Sequence, residues 1–270
     1  MSTCSALSAG EPLAGTAGRT DAFLLLEVRG SWERDALDSL GERPRAAIRK
    51  WLEATPQSKA LLIRRPDRRG DALAAFVVRA DARTARRFRL ADYDDLADLD
   101  LSAGGEPTDE PLALVCGHGR RDACCARLGR PLYDALRDEL DSESLWLSSH
   151  VGGHRFAPNL LWLPDGLLFG RVEPGQAGAL VEELRAGGLP VECLRGRTTW
   201  PPEAQAAEIA IRASGGHQVG LVSAEGGRIR LVTPTGEFEV MVGIERGPAL
   251  PPSCGAEAEP GDRYVVTTIA

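Results

Sequence analysis

The stretch "LALVCGHGRRDACCARLGRPLYDALRDELDSESLWLSSHVGGHRFAPN", residues 112–159, decides how the rest of the chain is read. Leu112 to Cys116 is a short apolar run with the length and composition of a buried strand. The loop "GHGRRDA" follows, with two glycines and turn character. "RDACCARLGRPLYDALRDEL" has helical spacing, with an interruption expected near Gly129 and Pro131. "LWLSSH" reads as a second strand. A strand, a helix and a strand in that order need a crossover, and such strands usually pair in parallel.

The neighbouring segments extend this pattern. "NLLWLPDGLLFGRVE" places two apolar runs around Pro164, Asp165 and Gly166, a hairpin signature. "GQAGALVEELRAGG" is a helix stopped by Gly187 and Gly188. Residues 112–188 therefore read β-α-β-β-β-α, the order of a thioredoxin-like domain lacking one helix. The first hundred residues read similarly. "DAFLLLEVRG" is a strand, "PRAAIRKWLEATP" a helix with Ala47, Ile48, Trp51 and Leu52 on one face, and "KALLIRRP", "ALAAFVVRAD" and "ARRFRLADY" are strands. A short helix and a Gly/Pro/acidic linker close that part. A degenerate duplication is consistent with this order.

The tail differs. "WPPEAQAAEIAIRAS" reads as a helix opened by a proline pair. "GLVSAEGGRIRLVTPTGEFEVMVGIERG" and "RYVVTTIA" read as antiparallel strands, with the Pro/Gly-rich residues 247–262 as a loop between them. The expected fold class is α/β with a mixed sheet. It comprises an N-terminal α/β half (1–108), a thioredoxin-like domain (109–197), and a helix with a small antiparallel β appendage (198–270).

Bulk properties narrow the function. Net charge is −7, which argues against a nucleic-acid binder. Lys50 and Lys59 are the only lysines, so lysine chemistry has little to work with. The opening "MSTCSALSAGEPLAG" has neither a basic nor a long apolar region, and no run approaches the length of a membrane span. A cytoplasmic location is expected, where cysteines read as metal ligands or redox groups before disulfides.

Three of six cysteines and three of four histidines fall between Cys116 and His154. Cys116, Cys124, Cys125, His150 and His154 all sit at strand ends or adjacent loops on one sheet edge, where open α/β sheets bind ligands. Gly152 and Gly153 disfavour a helix across the H-x-x-x-H and favour a loop around a small inorganic body. Two thiolates and two imidazoles suit zinc or iron. A short C-x2–4-C knuckle, usual for structural zinc, is absent, as is the C-x-H pairing of Rieske centres. The C-x7-C or C-x8-C gap fits a larger object such as a [2Fe–2S] cluster. Cys193 and Cys254 read as small core residues. His217 reads as a loop residue, and His118 as a surface or supporting group. Adjacent cysteines seldom serve one small centre, so Cys124 has no evident role.

"VCGHGRRDACCARLGRPLY" and "SSHVGGHRFAPNLLWLPDGLLFGRV" resemble the sucrase/ferredoxin-like family, and "CSALSAGEPLAGTA" resembles its opening. The resemblance covers roughly residues 4 to 175. It implies a thioredoxin-like ferredoxin with a [2Fe–2S] cluster on C-x8-C and H-x-x-x-H, hence Cys116, Cys125, His150 and His154. It also implies electron transfer to or from a redox protein partner. No carboxylate pair is placed for sugar hydrolysis. Two other readings remain: a thiol oxidoreductase, though C-x-x-C is absent, and a structural zinc module. Asp122 is expected to cap the helix, Asn159 either to brace the histidine loop or to turn the chain, and Arg120, Arg121 and Arg155 to flank the site, either stabilising a reduced cluster or as ordinary surface arginines.

Overall fold

A computed structural model of the chain describes residues 3–66, 72–215 and 218–270; His217 lies outside the described residues. A single helical turn, α1 (Cys4–Leu7), precedes β1 (Ala22–Glu27), α2 (Glu42–Ala54), β2 (Ser58–Arg64), β3 (Leu73–Arg79), β4 (Thr84–Leu90) and β5 (Glu106–Thr108). The expected linker thus contributes β5 as an edge strand on β4. Every residue of β1 is buried, as an apolar run covered on both faces requires. Ile48 and Trp51 are the buried residues of the predicted stripe on α2.

The second half contains β6 (Leu112–Cys116), α3 (Ala123–Leu136), β7 (Leu145–Ser148), β8 (Asn159–Leu163), β9 (Leu167–Gly170), α4 (Ala177–Arg185) and β10 (Leu194–Arg197). Helix α3 is continuous through Gly129 and Pro131, against expectation. Its apolar face, including Leu132, Tyr133 and Leu136, is buried, and that burial outweighs the hydrogen bond lost at the proline.

One ten-stranded sheet holds both halves, in the order β10-β9-β8-β6-β7-β2-β1-β3-β4-β5. β1 and β2 are parallel, as are β6 and β7, while β3 and β8 run antiparallel to the first strand of their own half. The halves join where β2 and β7 pair antiparallel. The order 2-1-3-4 on one side therefore mirrors 4-3-1-2 on the other, which is the arrangement a degenerate duplication produces.

The register makes the equivalence residue-specific. Glu27 pairs with Ile63 as Cys116 pairs with Ser148. The next amide donates alike in each half, Val28 N to Ile63 O at 2.8 Å and Gly117 N to Ser148 O at 3.0 Å. Glu27 thus stands where Cys116 stands, and Arg65 where His150 stands. Arg65 Nη2 donates to both Glu27 oxygens at 3.3 Å, and this pair is buried. An ion pair fills the first half at the position where the second half gathers cysteine and histidine.

The tail forms α5 (Pro202–Ala213) and a separate antiparallel sheet, β11 (Gly220–Glu225), β12 (Arg228–Thr233), β13 (Gly236–Leu250) and β14 (Glu259–Ile269). Strands β13 and β14 extend into both ends of the segment expected to be a loop, taking half of it and leaving 251–258 as the turn. A register shift between Arg246 and Ala249 accommodates Pro248, since a bulge tolerates a missing amide donor. This hairpin carries its turn back over α3, where the Cys254 amide meets Asp122. Among the described residues no helix is long and apolar enough to cross a membrane.

Candidate metal centre

Cys116 ends β6 and Cys125 lies in the first turn of α3, so both sulfurs are fixed by regular structure. The connecting turn is tight: Arg121 N and Asp122 N both donate to His118 O. Asp122 caps α3 as expected, accepting from Cys124 N at 2.8 Å. His150 follows β7. Its Nδ1 lies 4.0 Å from Cys116 Sγ and 3.9 Å from Cys125 Sγ. The potential ligand atoms of these three residues all fall within 4.8 Å of one another.

His154 begins a 3-10 turn (His154–Phe156) entered through Gly152 at φ +115° and Gly153 at φ +68°. A side chain at Gly153 would also run into the Arg195 guanidinium. The glycine pair lets the chain fold back and stack the His154 ring on His150, with centroids 4.3 Å apart and planes 26° apart. His154 stands outside the three-residue group. Its Nδ1 is buried and has no hydrogen-bond partner among the described residues. Asn159 braces this loop: its Nδ2 donates to Gly153 O at 3.0 Å, and its Oδ1 accepts from Arg195 Nη1 at 2.8 Å. Arg195 also donates to Gly152 O.

Electrostatics prepare the donors. A hydrogen bond from the Cys125 thiol, aided by His150, holds Cys116 well below the ordinary thiol range against the opposing effect of burial. The same bond to Cys116, together with burial, pushes Cys125 far up. Cys116 is thus the more acidic sulfur of the pair. Burial and the neighbouring His150 push His154 down to about 4, so its imidazole is neutral near pH 7 and its lone pair is available. Two sulfurs and two imidazoles, one with an unpartnered buried nitrogen, fit an iron–sulfur group with mixed ligation.

Access is one-sided. Cys116 and Cys125 are each 1% exposed. His150 is half-buried and lines an open groove of about 310 Å³ with Lys59, Arg34, Arg121 and His118. His118 is not a surface group. It is buried, its Nε2 lies 2.7 Å from Glu33 O, and its ring meets Trp32 edge-on. Arg120 and Arg155 are tied to Glu33 and Glu11, leaving Arg121 as the predicted flanking arginine that lines the groove.

Cys193 is a core thiol as expected, with burial pushing it up to about 12. Cys254 is not: it is exposed, 3.5 Å from Cys124 Sγ and 3.6 Å from Cys4 Sγ. Sequence reasoning missed this second gathering because its members come from opposite ends of the chain. The unexplained "CC" pair was its one local signal.

A family model described as sucrase/ferredoxin-like matches residues 13–196. Among curated proteins, Altered inheritance of mitochondria protein 32 of Eremothecium gossypii is 38% identical over 94 residues, 30% of each chain. The protein of the same name from Saccharomyces kudriavzevii is 39% identical over 97 residues, 31% of each chain. The match thus spans under a third of the length of these relatives. Among solved structures, a thioredoxin-like [2Fe–2S] ferredoxin from Aquifex aeolicus aligns at 23% identity and a TM-score of 0.27, covering 32% of this chain and 91% of that one.

Proposed function

The chain belongs to the sucrase/ferredoxin-like family, and from that premise we propose that it is an electron-transfer protein holding one [2Fe–2S] cluster on Cys116, Cys125, His150 and His154. The observation that carries this reading is the convergence of two buried sulfurs on His150 Nδ1, with the unpartnered His154 Nδ1 on the ring stacked beside it. The cluster, when bound, supplies one-electron chemistry, and two neutral imidazoles in place of thiolates leave it less negative and raise its potential.

The chain's own residues do the rest. Cys116 and Cys125 exclude water from the sulfur side because both are buried against the core. His150 reaches the groove and is the port through which electrons pass to a redox protein partner. Lys59, Arg34 and Arg121 line that groove against one carboxylate, Asp35, and the excess of positive charge favours an acidic docking surface on the partner. All six cysteines are free, which suits a compartment that keeps thiols reduced, as the cytoplasm does.

Anaerobic purification followed by iron and sulfide quantification tests the proposal, with EPR of the dithionite-reduced protein. A coloured protein that bleaches on reduction is expected, and Cys125→Ser should abolish the colour. His150→Cys should retain a cluster at a lower potential. A colourless protein free of sulfide, purified from iron-replete cells, would overturn the reading.

A further inference from the structure

We propose that Cys4, Cys124 and Cys254, together with the Asp122 carboxylate, form a second metal site that takes a single zinc ion. The three sulfurs make a nearly equilateral triangle, with Cys4–Cys124 at 3.6 Å, Cys124–Cys254 at 3.5 Å and Cys254–Cys4 at 3.6 Å. Asp122 Oδ2 and Oδ1 lie 3.8 and 3.9 Å from Cys4 Sγ. All four groups offer a ligand atom within 4.8 Å of the others.

These distances select the occupant. A disulfide needs sulfurs ~2.05 Å apart and unites only two of the three. Thiolates ~2.3 Å from a tetrahedral zinc stand about 3.8 Å from one another. The triangle closes on that geometry with a shift of a few tenths of an ångström. Three sulfurs and one oxygen are also a donor set that suits this borderline-soft ion.

Packing does not account for the cluster. Cys4 and Cys124 are buried with Ala157, but Cys254 is exposed, so the group sits at the rim of the molecule. Its members arrive from three separate places: Cys4 from α1, Cys124 from the first turn of α3, and Cys254 from the turn between β13 and β14. Asp122 holds two of them in register, accepting from Cys124 N through Oδ1 and from Cys254 N through Oδ2, both at 2.8 Å. A carboxylate that fixes the backbone of two ligands while facing the third has the placement of a site organiser.

Binding would replace three S–H bonds with three S–Zn bonds and add one Zn–O bond. The three protons leave to solvent, and the four anionic donors with a divalent ion carry a net charge of −2. The structural consequence is a clasp: the ion ties the N-terminal turn and the C-terminal hairpin to α3.

Elemental analysis of the purified full chain tests this independently of the iron site. Wild type, Cys254→Ser, Cys4→Ser and Cys116→Ser are assayed for zinc and iron, and each is reconstituted with cobalt(II) as a spectroscopic probe. Wild type and Cys116→Ser should each hold one zinc per chain. Cys254→Ser should lose zinc at least tenfold, lose the intense thiolate-to-cobalt band of the tetrahedral ion, keep wild-type iron, and melt at a lower temperature. Cys254 is exposed on a turn, so this variant decides the matter even if Cys4→Ser fails to fold. Zinc absent from wild type, zinc retained in Cys254→Ser, zinc lost only in Cys116→Ser, or a disulfide among the three cysteines in fresh protein would each overturn the proposal.

Discussion

Lys59 is one of two lysines in the chain, and its Nζ donates to Val151 O at 2.8 Å, beside the histidine loop. Burial, opposed by the Cys116 sulfur and aided by Arg195 and Arg121, lowers it from 10.5 to about 8. The folded protein therefore releases this proton more readily than the unfolded chain. Between about pH 8 and 10.5 the unfolded state binds more protons, and stability from this group rises with pH. The cost of burying the ammonium is fully present below about pH 8. Replacing Lys59 with Met removes that cost, so denaturant midpoints should favour the variant more at pH 7 than at pH 10. A difference between the two proteins that does not move with pH would show that Lys59 is not buried as a cation. No sequence pattern marks this lysine, because its burial depends on a loop 92 residues away. Asn159 is a contrasting case. Its bracing role was one of two that the sequence allowed, the other being simply to turn the chain. Its partner Arg195, contributed by the unpredicted strand β10, was not legible.

Helix α3 illustrates how an element's environment overrides its propensities. Glycine inside a helix ordinarily costs about 1 kcal/mol relative to alanine, so Gly129→Ala on an exposed face would stabilise. Here a Cβ at Gly129 would overlap the carbonyl oxygen of Cys116. The clash is with backbone, so the helix must lift from β6. Overpacking of this kind costs about 1–3 kcal/mol and outweighs the propensity gain. Gly129→Ala should therefore lower the melting temperature and, by separating Cys116 from Cys125, speed iron loss to a chelator. An unchanged melting curve would mean that the helix does not bear on β6 there. The sequence marked Gly129 and Pro131 as a weak point in a helix. Only the packing reveals the glycine as the contact that lets the two cysteine-bearing elements meet. The same holds for β13 and β14, whose prolines and glycines suggest a loop until the paired strand across from them is seen.

Across the whole molecule, a buried charge network joins the large sheet to the C-terminal unit. Glu208 of α5 is fully buried; it accepts both of its 3.0 Å bonds from Arg197 of β10 and one at 2.9 Å from Arg212. Gln205, one turn earlier, donates to the carbonyls of Ala17, Arg197 and Trp200. Removing one member of a buried pair strands the other in a low-dielectric site, a loss of about 3–5 kcal/mol. Glu208→Ala should destabilise the full chain by that amount in chemical denaturation; a loss under about 1 kcal/mol would indicate that water reaches the arginines. The sequence by itself determined the mixed α/β class, the repeated strand order of the two halves and the local gathering of Cys116, Cys125, His150 and His154. Those features rest on short-range periodicity and on residues fewer than 40 positions apart. The tertiary structure alone decided that Glu27 and Arg65 occupy the matching positions of the first half, and that Cys4, Cys124 and Cys254 meet. Such contacts arise from strand register and from a hairpin folding back across the molecule. Neither leaves a periodic trace in the chain, because the free energy that sets them comes from surfaces that exist only once both ends have folded.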